Sequence, residues 1–298
     1  MSEEPNAVPF VIPEANTDHI QRKTFDIAYA NVSPAQKLDI YLPAEGNGPF
    51  PVIVSIHGGA FMAGDKHDVQ VTPMLKALEH GYSVVSINYR MSGEAKFPAL
   101  VHDVKAAIRW IRANATTYLL DPDKIATWGG SAGGYLSLMA GVSAGVPELE
   151  DLNLGNADQP CDVQAVVAWF PPTDFLKMDE QLAESNMAPS ADEAHNGSHS
   201  PESLLLGKQI TLIPDLVRAA NPETYIHADL PPFFIQHGTK DNIVPHQQSV
   251  NIAAKLTSAL GADKVTLHLL PGAGHGDAQF ETGENLKLVI GFLEKYLR

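Results

Sequence analysis

The stretch Trp128-Gly129-Gly130-Ser131-Ala132-Gly133-Gly134 restricts the fold of this chain more than any other. It has the form Gly-x-Ser-x-Gly, follows the short apolar run Lys124–Trp128 and opens a Gly/Ala-rich helical pattern. Such a sequence reads as a strand, a sharp turn and a helix. The turn pushes the serine out of the sheet plane with its Oγ exposed, and the small residues around it let strand and helix approach closely. Three fixed positions recur by chance in roughly one chain of this length in ten. The loops at neighbouring strand ends therefore have to supply whatever a serine in this position would need.

The rest of the chain is punctuated to match. Thr24–Tyr29 and Lys37–Leu42 alternate apolar and polar residues around Ser33-Pro34 and read as an antiparallel pair at a sheet edge. Pro51–Ile56 and Ser83–Tyr89 are near-continuous β-branched runs with a helical segment, Val69–His80, between them, the pattern of central strands covered on both faces. Pro98 opens a helix whose Val101, Val104, Ile108 and Ile111 fall on one face, and Asp121-Pro122-Asp123 is a turn before the strand Lys124–Trp128. Further strands are expected at Val163–Trp169, Pro232–His237 and Val265–Leu270, and helices at Pro245–Leu260 and Glu284–Leu297. This alternation predicts an α/β domain with a mostly parallel, doubly wound sheet of about eight strands. Residues 1–18, rich in Pro, Asn and Glu, read as an N-terminal arm, and 19–298 as one domain. Residues 171–230 exceed a single crossover helix. Their apolar clusters Leu204–Leu206 and Ile210–Leu216 need something to cover, so the segment is expected to form a small cap above the sheet.

Composition narrows the function. With 44% hydrophobic and 18% charged residues the chain is an ordinary globular protein. Its net charge of −15 opposes binding to nucleic acid phosphates or anionic membrane surfaces, and no basic patch offsets it. Cys161, the single cysteine, cannot form an intramolecular disulfide or a thiolate metal site and is expected to be a small buried residue. Glu3, Glu4 and Pro5 stand where a signal peptide would need a basic start and an apolar run, and no stretch approaches the roughly 20 apolar residues of a membrane span. A soluble cytoplasmic protein is expected.

In an open parallel sheet, functional loops gather beyond the carboxyl ends of the strands. After Pro51–Ile56 comes His57-Gly58-Gly59-Ala60-Phe61, where the N–H groups of Gly58 and Gly59 can point into a cavity, with that of Ala132 as a further donor for an oxyanion. After Pro232–His237 comes Gly238-Thr239-Lys240-Asp241, and after Val265–Leu270 comes Gly274-His275-Gly276-Asp277. Ser131, Asp241 and His275 thus stand in the order nucleophile, acid, base. Of the 12 histidines, His275 is singled out by its Gly-rich loop after the last strand. Asp174, after Val163–Trp169, is the alternative acid; Trp169 and Phe170, at the same strand end, are candidate pocket walls or core residues. Asp65 is placed to brace the oxyanion loop, Asp103 and Arg109 read as structural, and Asp277 as supporting His275. His195 and His199 have the i, i+4 spacing of a metal pair but lie among Gly, Ser and Asn, off any helical pattern.

Taken together, these motifs resemble the α/β-hydrolase fold family. The pairing of His57-Gly58-Gly59 with Gly129–Gly133 looks like its hormone-sensitive-lipase-like esterase branch. Lys37–Pro43, Trp128–Gly134, Gly238–Pro245 and Pro271–Asp277 look like the bacterial feruloyl/acetyl-esterase-like subgroup. The resemblance runs from about residue 20 to the end. It implies a serine carboxylesterase acting through an acyl-enzyme on small-molecule esters of short acyl groups, acetyl esters of carbohydrates among them, with no metal and no organic cofactor. A peptidase of the same fold and a non-catalytic ligand-binding relative are the other readings.

Overall fold

The computed structural model describes residues 12–190 and 193–298. Of the expected N-terminal arm, residues 1–11 lie outside the described residues. Eight strands form one sheet in the order β1-β2-β4-β3-β5-β6-β7-β8. They are β1 (Lys23–Ala28), β2 (Lys37–Tyr41), β3 (Phe50–Ile56), β4 (Ser83–Ile87), β5 (Leu120–Gly130), β6 (Ala165–Trp169), β7 (Phe233–Gly238) and β8 (Val265–Leu270). β1 pairs antiparallel with β2, and β2 with β4; every other pairing is parallel. The polar-alternating strands take the edge and the β-branched runs the middle, as burial on one or both faces requires.

The helices are α1 (Thr72–Leu75), α2 (Ala99–Ala113), α3 (Ala115–Tyr118), α4 (Ala132–Val142), α5 (Met178–Glu184), α6 (Pro201–Leu206), α7 (Pro214–Ala220), α8 (Gln247–Leu260) and α9 (Gly283–Leu297). Among the described residues none is long and apolar enough to cross a membrane. Side chains alternate across a strand, so each central strand serves two apolar layers. Val52, Val54 and Ile56 of β3 pack with α2, α4 and α8, whereas Ile53, with Trp128 of β5, packs with Met74, Leu75 and the apolar face of α9. Asp103 on α2 is buried and accepts from the Arg90 backbone N–H and Nη2, at 2.8 Å each, from Arg90 Nε, shared between both oxygens, and from Gln36. Arg109 reaches the carbonyls of Asp151 and Gly155. Burial pushes the Cys161 thiol up to about 11.

Two local expectations are met in altered form. Asp121-Pro122-Asp123, read as a turn, lies inside β5, because the β3–β5 register slips between Phe50↔Leu120 and Val52↔Ile125 and the extra residues bulge outward. The segment 69–80 is not one helix but a 3₁₀ turn, the short α1 and a second 3₁₀ stretch. The segment 171–230, expected as a cap, packs on the helices. Its Phe175, Met178, Leu205, Ile210 and Val217 join the apolar layer of α2 and α4, and Tyr135 of α4 donates to the Ala220 carbonyl at 2.8 Å. The segment thus covers the apolar flank formed by α2 and α4.

The sharpest steric restriction is at Gly133, where a Cβ would lie 2.0 Å from the Ile56 carbonyl oxygen, whereas at Gly291, on the exposed side of α9, it would meet nothing within 4 Å. Gly133→Ala is therefore expected to lower the unfolding free energy by about 3 kcal/mol. Gly291→Ala, by removing a glycine from a helix interior, should raise it by about 1 kcal/mol. Urea unfolding of the two variants checks both signs.

Candidate active site

β5 ends at Gly130, and Ser131 turns the chain into α4 with φ 55° and ψ −122°, a conformation that L residues rarely adopt. The turn is held because the Ser131 N–H donates to the Trp169 carbonyl at 2.9 Å. Small residues make it sterically possible. A Cβ on Gly129 would stand 2.5 Å from Gly133, and one on Gly133 would strike β3. The hydroxyl is thereby lifted off the sheet into a cavity of about 550 Å³.

The loops after β7 and β8 bring their side chains to this hydroxyl. His275 Nε2 lies 2.9 Å from Ser131 Oγ, and its Nδ1 lies 2.7 Å from Asp241 Oδ2. Asp241 is fully buried. Its Oδ1 accepts the N–H groups of Ile243 and Val244 at 2.9 Å each, and its Oδ2 also lies 3.2 Å from His237 Nε2. Burial by itself pushes this carboxyl up, but the hydrogen bonds from His237 and His275 outweigh it and hold the group below the ordinary carboxylate range. With Nδ1 facing a carboxylate, neutral His275 carries its proton there and leaves Nε2 as an acceptor for the serine hydroxyl. Asp277 accepts the Gly274 N–H at 2.7 Å and so secures the turn before His275. Asp174 stands apart; its N–H and carbonyl are both engaged by the Gln248 carboxamide.

The loop after β3 differs from expectation at Gly58. Its N–H donates to Gln70 Oε1 at 2.8 Å and is not free to face the cavity. The next peptide is also fixed, because the Gly58 carbonyl accepts from His57 Nδ1 at 2.8 Å. Burial keeps His57 below its ordinary pKa, hence neutral, and its ring stacks on Tyr89 with centroids 4.5 Å apart. Gly59, Ala60 and Phe61 then take φ of 116°, 54° and 64°. Gly59 and Ala60 line the cavity beside Ser131. None of the N–H groups of Gly59, Ala60 and Ala132 meets an acceptor among the described residues. The free donors are therefore at 59, 60 and 132 rather than at 58, 59 and 132. Ala60 was missed because only a glycine advertises positive φ in a sequence.

Trp169 and Phe170 both line the cavity. Phe170, with φ 37°, sets its edge against His275 and against Phe280, centroids 4.7 Å apart in each pair. Ile56, Met74 and Phe280 complete the walls, exposed Met62 and Ile243 sit at the mouth with Ile12, and Glu281 is the carboxylate on the lining. No described residue of 171–230 lines this space. The segment reaches the site indirectly, through Phe175 packed against Phe61 and through His195, whose Nε2 donates to the Ile243 carbonyl at 2.9 Å while Nδ1 lies 3.2 Å from Glu202. His199 pairs with Ser198, so the two histidines do not converge. Asp65 binds Asn88 and the His67 N–H. The carboxylate braced against the oxyanion loop is Asp68, which holds Gln70.

The BD-FAE family model matches residues 38–256. The chain is 34% identical to esterase LipQ of Mycobacterium tuberculosis over 256 residues, which cover 85% of this chain and 57% of that protein. It is similar to a solved structure described as a truncated form of a carbohydrate esterase from gut microbiota, at 35% identity and a TM-score of 0.83, covering 95% of this chain and 98% of the other. A bifunctional GH43-CE protein of Bacteroides eggerthii follows at 36% identity and 0.81, covering 92% of this chain and 38% of the other. The chain spans about half the length of the curated relatives it matches.

The depressed Asp241 carboxyl gives a pH test. A group whose folded pKa lies below its unfolded value of about 3.9 stabilises the fold fully above that value and loses the contribution as pH falls through the folded one. The stability advantage of the wild-type chain over Asp241→Asn is thus expected to shrink as pH falls from about 5 towards about 3. Urea unfolding across that range reads it; a difference that stays flat on acidification would show that the carboxylate is not held by these hydrogen bonds.

Proposed function

From the premise that the chain belongs to the BD-FAE family of α/β-hydrolase esterases, we propose that it is a serine carboxylesterase for short-chain esters, with acetyl groups on carbohydrates as the substrate class. The observation that carries the reading is the unbroken line from Asp241 through His275 to Ser131, two hydrogen bonds of 2.7 and 2.9 Å.

Each residue then has a defined task. His275 Nε2 accepts the Ser131 proton as Oγ forms its bond to the ester carbonyl carbon, and the imidazolium is stabilised by Asp241. The carbonyl oxygen becomes an oxyanion met by the N–H groups of Gly59, Ala60 and Ala132, each worth roughly 3 kcal/mol when lost. Collapse breaks the carbon–oxygen bond to the alcohol, which leaves with the proton from His275. Water, deprotonated by the same Nε2, attacks the acyl-enzyme, and expulsion of Ser131 Oγ, which takes that proton back from His275, releases the acid. Trp169 and Phe170 serve as walls for the bound ester.

The carbohydrate part rests on the carbohydrate esterase from gut microbiota and the GH43-CE protein, which this chain resembles over more than nine-tenths of its own length. A p-nitrophenyl ester series from acetate to laurate is expected to favour the short acyl groups, and Ser131→Ala to lower kcat roughly a millionfold. An acetylated-oligosaccharide panel should release acetate. Reaction with aryl esters alone would remove the carbohydrate reading, and cleavage of aminoacyl anilides without ester hydrolysis would make the protein a peptidase.

A further inference from the structure

Gln70 lies on the 3₁₀ turn Val69–Val71, 12 residues after Gly58, yet its side chain enters the catalytic cavity. Its Oε1 accepts the Gly58 N–H at 2.8 Å, and its Nε2 donates to Asp68 Oδ2 at 2.9 Å. Asp68 is itself buried and takes two further N–H bonds, from Asp65 at 3.0 Å and from Gln70 at 2.9 Å. These partners fix the carboxamide in one sense. A flipped amide would face its oxygen to a carboxylate and its NH₂ to an N–H.

The two peptides flanking Gly58 are consequently held from opposite sides. Gln70 holds the N–H of peptide 57–58, and His57 Nδ1 holds the carbonyl of peptide 58–59. Across the trans Gly58–Gly59 peptide the N–H points opposite to the carbonyl, so fixing the Gly58 oxygen on His57 turns the Gly59 N–H away from it, towards the cavity that Gly59 lines. The approach is tight. A Cβ on Gly58 would lie 2.9 Å from Gln70 Oε1 and 3.3 Å from Ser131 Cβ.

We infer that Gln70 is a positioning residue for the oxyanion-binding donors: it orients the Gly59 and Ala60 N–H groups through Gly58, and contributes more to the transition state than to substrate binding. The inference rests on the serine-esterase reading. The strain supports it, since three consecutive residues at positive φ need external bonds to keep one orientation.

The test compares wild-type protein with Gln70→Met, which keeps the bulk and removes both hydrogen bonds, and Gln70→Ser, which leaves room for a water on the Gly58 N–H. On p-nitrophenyl acetate, Gln70→Met is expected to lose about 10- to 100-fold in kcat with KM within about twofold, and Gln70→Ser to lose less. Inhibition by phenylboronic acid, whose tetrahedral adduct on Ser131 carries the oxyanion charge, should weaken by the same factor as kcat. A residue that only lines the pocket would raise KM and leave boronate and substrate affected alike. That outcome, wild-type kinetics in both variants, or a kcat loss without a boronate change would overturn the inference. If Gln70→Met fails to fold by circular dichroism, the same readings on Gln70→Ser decide. Wild-type protein that neither hydrolyses the ester nor binds the boronate would instead remove the esterase reading itself.

Discussion

The contact on which this architecture depends is the backbone approach of α4 to the end of β3. Gly133 leaves no room for a side chain against the Ile56 carbonyl, and Gly129 leaves none against Gly133. Only this closeness lets β5 turn into α4 within one residue, so that Ser131 projects from the sheet and the first N–H of the helix, that of Ala132, points beside it. A looser junction would spread the turn over several residues and separate hydroxyl from donor. The same approach places the end of β3 next to the serine, and from there the loop His57–Phe61 supplies its own N–H groups. One steric restriction thus aligns the Ser131 hydroxyl and the unpaired N–H groups on neighbouring strands.

Much of this was legible in the chain because strand ends are legible. Apolar β-branched runs mark where strands stop, and Ser131, Asp241 and His275 each stand just beyond such a stop. What the sequence could not carry is which partner a backbone group finds. Gly58 and Ala60 are equally plain in the motif, yet Gly58 is occupied by a carboxamide 12 residues on and Ala60 is left free. Asp174 and Asp241 likewise both follow strands. The choice between them depends on where the β8 loop delivers His275, a consequence of β8 pairing with β7 and not with β6. The packing partner of 171–230 is hard to read for a different reason. Its apolar clusters show that it must cover something, but the exposed flank of α2 and α4 exists only once those helices have packed.

The cavity consequently has an unequal frame. The Asp241 and His275 side is held by hydrogen bonds in the interior, with Asp241 receiving two N–H groups and facing two imidazoles. The wall above Ser131 comes from the short elements after β3 and from the turn before α9, which bring Met62, Met74 and Phe280. Apolar walls lower the local dielectric, which strengthens every charge interaction inside and penalises any charge without a partner.

That penalty explains why the donor side is held by a neutral group. The carboxylate bonded to Gln70 is that of Asp68, and bonded directly to Gly58 it would set a negative charge beside the place of the proposed oxyanion. Gln70 stands between them. Its carboxamide takes orientation from Asp68 through Nε2 and passes it to Gly58 through Oε1, while adding no net charge at the cavity wall. His57 does the same on the other side of Gly58, neutral because it is buried. Rigid placement normally comes from the strongest hydrogen bonds, which are the charged ones. Here charge is set one side chain back, so the loop keeps the geometry without the field.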